Sequence, residues 1–248
     1  MINNTIYGIN GPVVTIRRFP KKPIQMDDLE KFGAITDKAI VFLKNLVRAK
    51  YNIIISGGTG SGKTTFLNAL SGYIPKDERI ITIEDSEEIQ IIDLPNLVRL
   101  ETRNANVEGC AEISIRDLIK SSLRMRPDRI IVGEVRGAEA IDMIQAMNTG
   151  HDGSLSTGHA NSAADMLSRL ETMILMGVNL PLDAIRGQIA SGVDVIVHLG
   201  RLRDKSRKVL QITEILNYEN GEIEKNILFD FEEEYEKDGK IYGSLKKK

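Results

Sequence analysis

Residues Gly57-Gly58-Thr59-Gly60-Ser61-Gly62-Lys63-Thr64-Thr65 fit the pattern G-x-x-x-x-G-K-[ST], with Gly57 and Gly62 as the fixed glycines. Before them, Tyr51-Asn52-Ile53-Ile54-Ile55-Ser56 reads as a buried strand; after them, Thr65-Phe66-Leu67-Asn68-Ala69-Leu70 reads as a helix. Strand, glycine loop and helix in that order are the context the pattern requires. Glycines lack Cβ, so the loop can curl with its N–H groups inward. Those groups and the helix N-terminus form an anion site for polyphosphate. Lys63 suits the β- and γ-phosphates of ATP, the Thr64 hydroxyl suits Mg²⁺, and Thr65 falls near the α-phosphate. The bland alternative, a glycine-rich turn matching by chance, is disfavoured by the flanking strand and helix.

The rest of the chain repeats this alternation. Strands are expected at 79–85, 98–103, 129–133 and 193–199, with a further strand within the loop-rich stretch 150–161. Helices are expected from Ser114 to Leu123, at 138–147, 163–176 and 182–191, and over 29–49, where Gly33 leaves open one helix or two. Asp27 or Asp28 is the expected cap of that first helical region. Alternating strands and helices imply βαβ units, a largely parallel sheet and right-handed crossovers. Near the end, 208–216 and 223–231 read as two strands joined at Asn220-Gly221, a β-hairpin. Residues 12–19 read as a lone strand followed by the linker Pro20-Lys21-Lys22-Pro23. The expected organisation is a remnant of an N-terminal domain with its linker at 1–22, an α/β domain at 23–231, and a charged, solvated tail at 232–248.

Composition narrows the function. At 248 residues the chain suits one large domain or one with appendages; 42% hydrophobic and 27% charged residues are an ordinary globular balance. A net charge of −2, with no Trp and only 5% aromatics, argues against nucleic acid as the main partner. The single cysteine, Cys110, excludes an internal disulfide framework and reads as a small side chain without a chemical task. No run approaches the ~18 apolar residues of a membrane span, and the N-terminus lacks the features of a signal peptide. A cytoplasmic protein that can dock on a membrane complex is expected.

Hydrolysis of a bound triphosphate needs a carboxylate for the Mg²⁺ shell and a group that orients water, both near the carboxyl ends of the strands. Glu134 follows the apolar strand Ile130-Ile131-Val132-Gly133 at the metal-side position, as Glu rather than the commoner Asp. Glu84 and Glu88 follow the strand at 80–83; Glu87 reads as part of a solvated acidic loop. His151 and His159 share the segment Thr149 to Asn161, rich in Gly, Ser and Thr, and read as γ-phosphate sensors. Metal ligation by the pair is the weaker alternative, since no cysteine or third histidine is near. His198, on an apolar strand, reads as structural. Arg99, Arg103 and Arg116 are candidates to reach the phosphates of a neighbouring subunit, against a bland reading as surface ion pairs.

Four segments together resemble one family. These are the Gly57–Thr64 loop, Thr82-Ile83-Glu84-Asp85-Ser86-Glu87-Glu88, the run from Arg126 to Gly137, and the histidine segment Thr149–Asn161. Their order and spacing resemble the type II and type IV secretion and pilus-assembly ATPases, and the strings Gly-His-Asp-Gly-Ser-Leu-Ser-Thr and Arg-Leu-Glu-Thr-Arg look most like the tight-adherence (Flp) pilus branch. The resemblance implies a RecA-like P-loop domain acting as a hexameric ring with ATP and Mg²⁺, docked on inner-membrane platform proteins. It makes Glu84 or Glu88 the residue that positions water and Glu134 the metal-side acid. It places His159 and His151 near the γ-phosphate and the subunit interface, and Arg99, Arg103 and Arg116 as inter-subunit contacts. Arg17 and Arg18 resemble the end of a nucleotide-clamping N-terminal domain, most of which is missing. Gly158 departs from the bulky aliphatic residue usual before the second histidine, which implies looser placement of His159. The resemblance implies an ATP-hydrolysing motor that powers pilus assembly or protein secretion across the envelope. That motor reading stands against two others, a RecA-like nucleic-acid translocase and a nucleotide-gated scaffold with little turnover.

Overall fold

The computed structural model describes residues 2–8, 11–16, 22–105 and 111–248. Arg17, Arg18 and Cys110 lie outside the described residues. The expected lone strand at 12–19 is instead the second of a pair: β1 (Ile2–Gly8) and β2 (Gly11–Ile16) form their own antiparallel two-stranded sheet. Two helices follow, α1 (Met26–Lys31) and α2 (Asp37–Arg48), parted at Gly33, so the expected helical region is two helices. Gln25, not Asp27 or Asp28, is the N-cap; Asp28 reaches back and accepts the Gln25 N–H at 3.1 Å.

The body is a nine-stranded sheet. Its parallel part comprises β3 (Ile53–Gly57), β4 (Ile80–Glu84), β5 (Leu97–Glu101), β6 (Arg129–Val135), β7 (Leu155–Gly158) and β8 (Val195–Arg201). They lie side by side in the order β8-β3-β7-β6-β4-β5, which sets the glycine loop after β3 between the ends of β8 and β7. Side chains alternate between two cores, as the period of a strand requires. Ile53, Ile55, Ile131, Val195 and Val197 pack with α2 and with α3 (Lys63–Ser71) through Leu43, Phe66 and Leu70. Ile54, Ile81, Ile83, Ile130, Val132 and Ile196 face the other side. There they meet α4 (Ile115–Ser122), α5 (Ala140–Asn148), α6 (Ala163–Gly177) and α7 (Leu182–Gly192). Burial on both faces explains the uninterrupted apolar runs of these strands. Each such side chain contributes roughly 1.5–3 kcal/mol.

The C-terminal part is antiparallel. β9 (Arg207–Glu219) and β10 (Glu222–Lys237) form the expected hairpin, turning at Asn220-Gly221, both at positive φ. The expected tail at 232–248 is not a solvated extension. β10 runs without a break through position 231, and β11 (Lys240–Lys247) pairs antiparallel with it. Ile241 and Leu245 are buried, and the Lys246 and Lys248 ammonium groups each donate to Glu232 at 2.7 Å. The hairpin is therefore a three-stranded meander continuing the sheet.

Candidate active site

The glycine loop is shaped by close backbone packing. A Cβ on Gly57 would stand 2.5 Å from the Leu199 carbonyl, so β3 can lie against β8 at this point only without a side chain. Gly62, at φ +97°, is the N-cap of α3 in the left-handed region that glycine tolerates. The Phe66 N–H closes the first helical turn on the Gly62 carbonyl. The amides of Lys63, Thr64 and Thr65 are the first-turn donors, the group a polyphosphate takes at such a terminus. Gly58, Thr59 and Gly60 form the exposed tip, while Ser61 is buried.

Lys63 is buried, and its ammonium donates to the Gly57 and Gly58 carbonyls at 3.1 and 3.3 Å. It also lies 3.4 Å from His159 Nδ1. Burial pushes the Lys63 pKa down, and Glu134 pulls it back up. His159 Nε2 stands 2.7 Å from Glu134 Oε1. Burial likewise holds His159 below its ordinary value; Lys63 and Arg136 push the same way, and Glu134 opposes them.

Glu134 owes its direction to a bulge. Val132 is paired with Ser156 and Val135 with Gly158, so three steps on β6 match two on β7. The extra residue falls at Gly133–Glu134 and returns Val135 to the face of Ile130 and Val132. Arg136, two residues on, holds Glu134 Oε2 through Nε at 2.7 Å and through Nη2, and reaches Asp85 with Nη1 at 3.4 Å.

Glu84 and Glu88 are now distinguishable. Glu84 is buried, and its Oε1 accepts the N–H groups of Glu88 and Ile89 at 2.9 and 2.7 Å. Burial raises its pKa, and those two backbone donors partly offset the rise. It therefore serves as a brace for the loop that carries Glu88. Glu88 is half-buried, and its charge acts on both Arg136 and Glu84.

The two histidines are not brought together. His159 lies just past the carboxyl end of β7, whereas His151 precedes that strand, at its amino end, with Nδ1 3.3 Å from the Ala146 carbonyl. His198 is buried, with Nδ1 2.9 Å from the Ser56 hydroxyl of the adjacent strand, a structural pairing. Arg99 pairs with Glu87. Arg103 donates to the Ala111 carbonyl at 3.3 Å, and Arg116 Nε stands 2.7 Å from the buried Asp142 of α5. Among the described residues, no hydrogen bond or ion pair joins these three arginines to the glycine loop of their own chain. Gly158 is not loosely held: it is paired to Ser56 on one side and Val135 on the other, and the Met166 side chain fills the space a larger residue would take.

Sequence reasoning missed three residues of this site. Arg136 lies within the run from Arg126 to Gly137, where nothing marks it apart from its neighbours. Asn68 lies on α3 with no motif of its own, and Arg207, at the start of β9, donates to the Gly60 carbonyl at 2.7 Å. Nothing local in the sequence marks a contact across 147 positions.

For Mg²⁺, Thr64 and Glu134 offer hard oxygen donors, but both Glu134 oxygens are engaged in this structure, Oε2 by Arg136 and Oε1 beside His159, so metal binding there requires those contacts to be exchanged. Among the described residues no group of three or more His, Cys, Asp or Glu is placed to cage a metal. That donor set fits an ion that keeps its waters and shares a ligand's phosphates.

Fold and motif together define a RecA-like P-loop protein. The chain belongs to the type II/IV secretion system protein family, whose model matches residues 3–231. It is 42% identical over 214 residues to a putative conjugal transfer protein of Mycobacterium tuberculosis, covering 86% of this chain and 60% of that protein. It is 36% identical to the probable conjugal transfer protein TrbB of Sinorhizobium fredii, over 90% of this chain and 66% of that one. Its fold is similar to the VirB11 ATPase of the Brucella suis type IV secretion system, solved with sulphate. The TM-score there is 0.64 at 32% identity, covering 82% of this chain and 66% of that one. The chain thus spans about two thirds or less of the length of these relatives. No helix among the described residues is long and apolar enough to cross a membrane.

Proposed function

We propose that this chain carries the ATP-hydrolysing unit of an envelope secretion or conjugation machine, acting as a ring oligomer, a hexamer, against platform proteins on the cytoplasmic face of the inner membrane. The observation that carries the proposal is the convergence of Lys63, His159 and Glu134 beside the glycine loop, with contacts of 3.4 and 2.7 Å. In this reading the loop amides and Lys63 grip the triphosphate. Thr64 and Glu134 hold Mg²⁺, which neutralises charge on the transferring phosphoryl group when bound. Glu88 positions the attacking water. Glu84 braces its loop. His159 exchanges its contact with Glu134 for the γ-phosphate side, to which it donates, and loses that partner after hydrolysis. Arg99, Arg103 and Arg116 reach a neighbouring subunit's nucleotide in the ring, which requires the intrachain partners of Arg99 and Arg116 to be exchanged on assembly. Arg17 and Arg18 contribute to the clamp over the nucleotide.

The Brucella suis VirB11 ATPase was solved in complex with sulphate; a tetrahedral anion is expected to bind the glycine loop of this chain. The test is paired measurement of ATP binding and phosphate release. Lys63→Ala should lose binding, and Glu134→Gln should keep binding and lose turnover. Wild-type hydrolysis in both variants would refute the site.

A further inference from the structure

The backbone of Glu88 is held on both sides by side chains. Its N–H donates to Glu84 Oε1 at 2.9 Å, and its carbonyl accepts from Asn68 Nδ2 at 3.3 Å. The next two amides continue the pattern. Ile89 donates to the same Glu84 oxygen at 2.7 Å, and Gln90 donates to Asn68 Oδ1 at 3.0 Å. Asn68 therefore uses both ends of its amide on one short segment, donor to a carbonyl and acceptor from an N–H. Only one orientation of the amide satisfies both bonds.

The two braces come from different parts of the site. Glu84 is the last residue of β4. Asn68 sits on α3, the helix whose first residue is Lys63. Asn68 is thus a direct link between the helix that opens at Lys63 and the loop that carries Glu88. A two-point amide contact fixes both position and tilt of the segment, which a single hydrogen bond does not. No charge is involved, so the contact is insensitive to the strong fields of Lys63, Arg136 and the bound phosphates.

We propose that Asn68 is a positioning residue: it clamps the Glu88 segment to the phosphate-binding helix and so sets the Glu88 carboxylate for water only when that helix is seated on nucleotide. This rests on the reading of Glu88 as the residue that positions water. Both ends of the Asn68 amide are taken up by the Glu88–Gln90 backbone, so it acts through that segment.

The test is a double-mutant cycle on the full chain, with ATP turnover, ADP affinity and amide exchange as readouts. Asn68→Ala should lower kcat by about tenfold to a hundredfold, the scale of a small misplacement, while KM for ATP and Kd for ADP stay within about threefold. In a Glu88→Gln background, adding Asn68→Ala should change the residual rate by less than about twofold, because Asn68 acts through Glu88. The Gln90 amide should exchange about tenfold faster in Asn68→Ala, and its protection should no longer respond to ADP. Asn68→Asp, which keeps the acceptor for Gln90 but loses the donor to Glu88, should retain Gln90 protection and still lose rate; it serves if the alanine variant folds poorly. Wild-type kcat in Asn68→Ala with Glu88→Gln inactive overturns the role of Asn68 alone. So does an equal rate loss from Asn68→Ala with and without Glu88, or unchanged Gln90 exchange. Full turnover in Glu88→Gln overturns the reading of Glu88 and this inference with it.

Discussion

Glu134 and His159 meet at 2.7 Å, the carboxylate carried on a bulged strand end and the imidazole at the end of the neighbouring strand. Glu134 is what keeps His159 from dropping further in pKa, against burial and the positive charges of Lys63 and Arg136. Glu134→Gln should therefore move the His159 titration to still lower pH, read by NMR of the ring. The same variant should lose about a hundredfold or more in turnover with binding retained, a loss typical of a missing group at developing charge.

Glu84 ties stability to pH. Its folded pKa is raised, mainly by burial, so the folded chain holds a proton that the unfolded chain releases above about pH 4.3. The unfolded state then binds fewer protons than the folded state, and stability falls as pH rises through that window. Glu84→Gln keeps an oxygen acceptor for the Glu88 and Ile89 amides and removes the buried charge. Denaturant midpoints between pH 4 and 7 should fall less steeply with pH in Glu84→Gln than in the parent chain. Identical slopes would show that Glu84 titrates as an ordinary surface carboxylate.

Arg129 is fully buried, and it holds Glu78 with Nε and Nη2, and the Val47 carbonyl with Nη1 at 2.7 Å. It joins the end of α2, the approach to β4 and the start of β6 at the amino ends of the strands, away from the glycine loop. Arg129→Ala strands a buried carboxylate and should cost about 3–5 kcal/mol, whereas Arg129→Met with Glu78→Leu should recover most of it. Urea unfolding of the single and double variants measures both.

The contact of Gly158 with Met166 gives a compensation test. A Cβ on Gly158 would lie 2.5 Å from the Met166 methyl, so Gly158→Ala should destabilise by about 1–3 kcal/mol through overpacking. Shortening Met166 to Ala in that background should relieve part of the cost, read as a rise in Tm.

Much of this fold was legible because its signals are local. Ile53-Ile54-Ile55 before a glycine loop, and Ile130-Ile131-Val132 before Glu134, state strand, burial and strand-end chemistry in one short window. What failed depended on distance or geometry. His151 and His159 are eight positions apart, yet a whole strand lies between them, so nearness in sequence became opposite ends of β7. The residues from 232 onward looked like a tail because residues 233–240 are exposed even though they lie on or between strands. Their charges pair locally, Glu232 with Lys246 and Lys248, and Glu233 and Glu236 with Arg203 of the loop before β9. The apolar residues that anchor β11, Ile241 and Leu245, are four apart and easily passed over among lysines. The different surroundings of Glu84 and Glu88 rest on the bonds of Glu84 to the backbone, which no residue pattern encodes.

The most direct test of the motor reading is Glu88→Gln, followed by ATP binding at equilibrium and phosphate release under the same conditions. The expected result is affinity within about threefold of the parent chain and release slower by about a hundredfold or more. Undiminished phosphate release with normal affinity would contradict it.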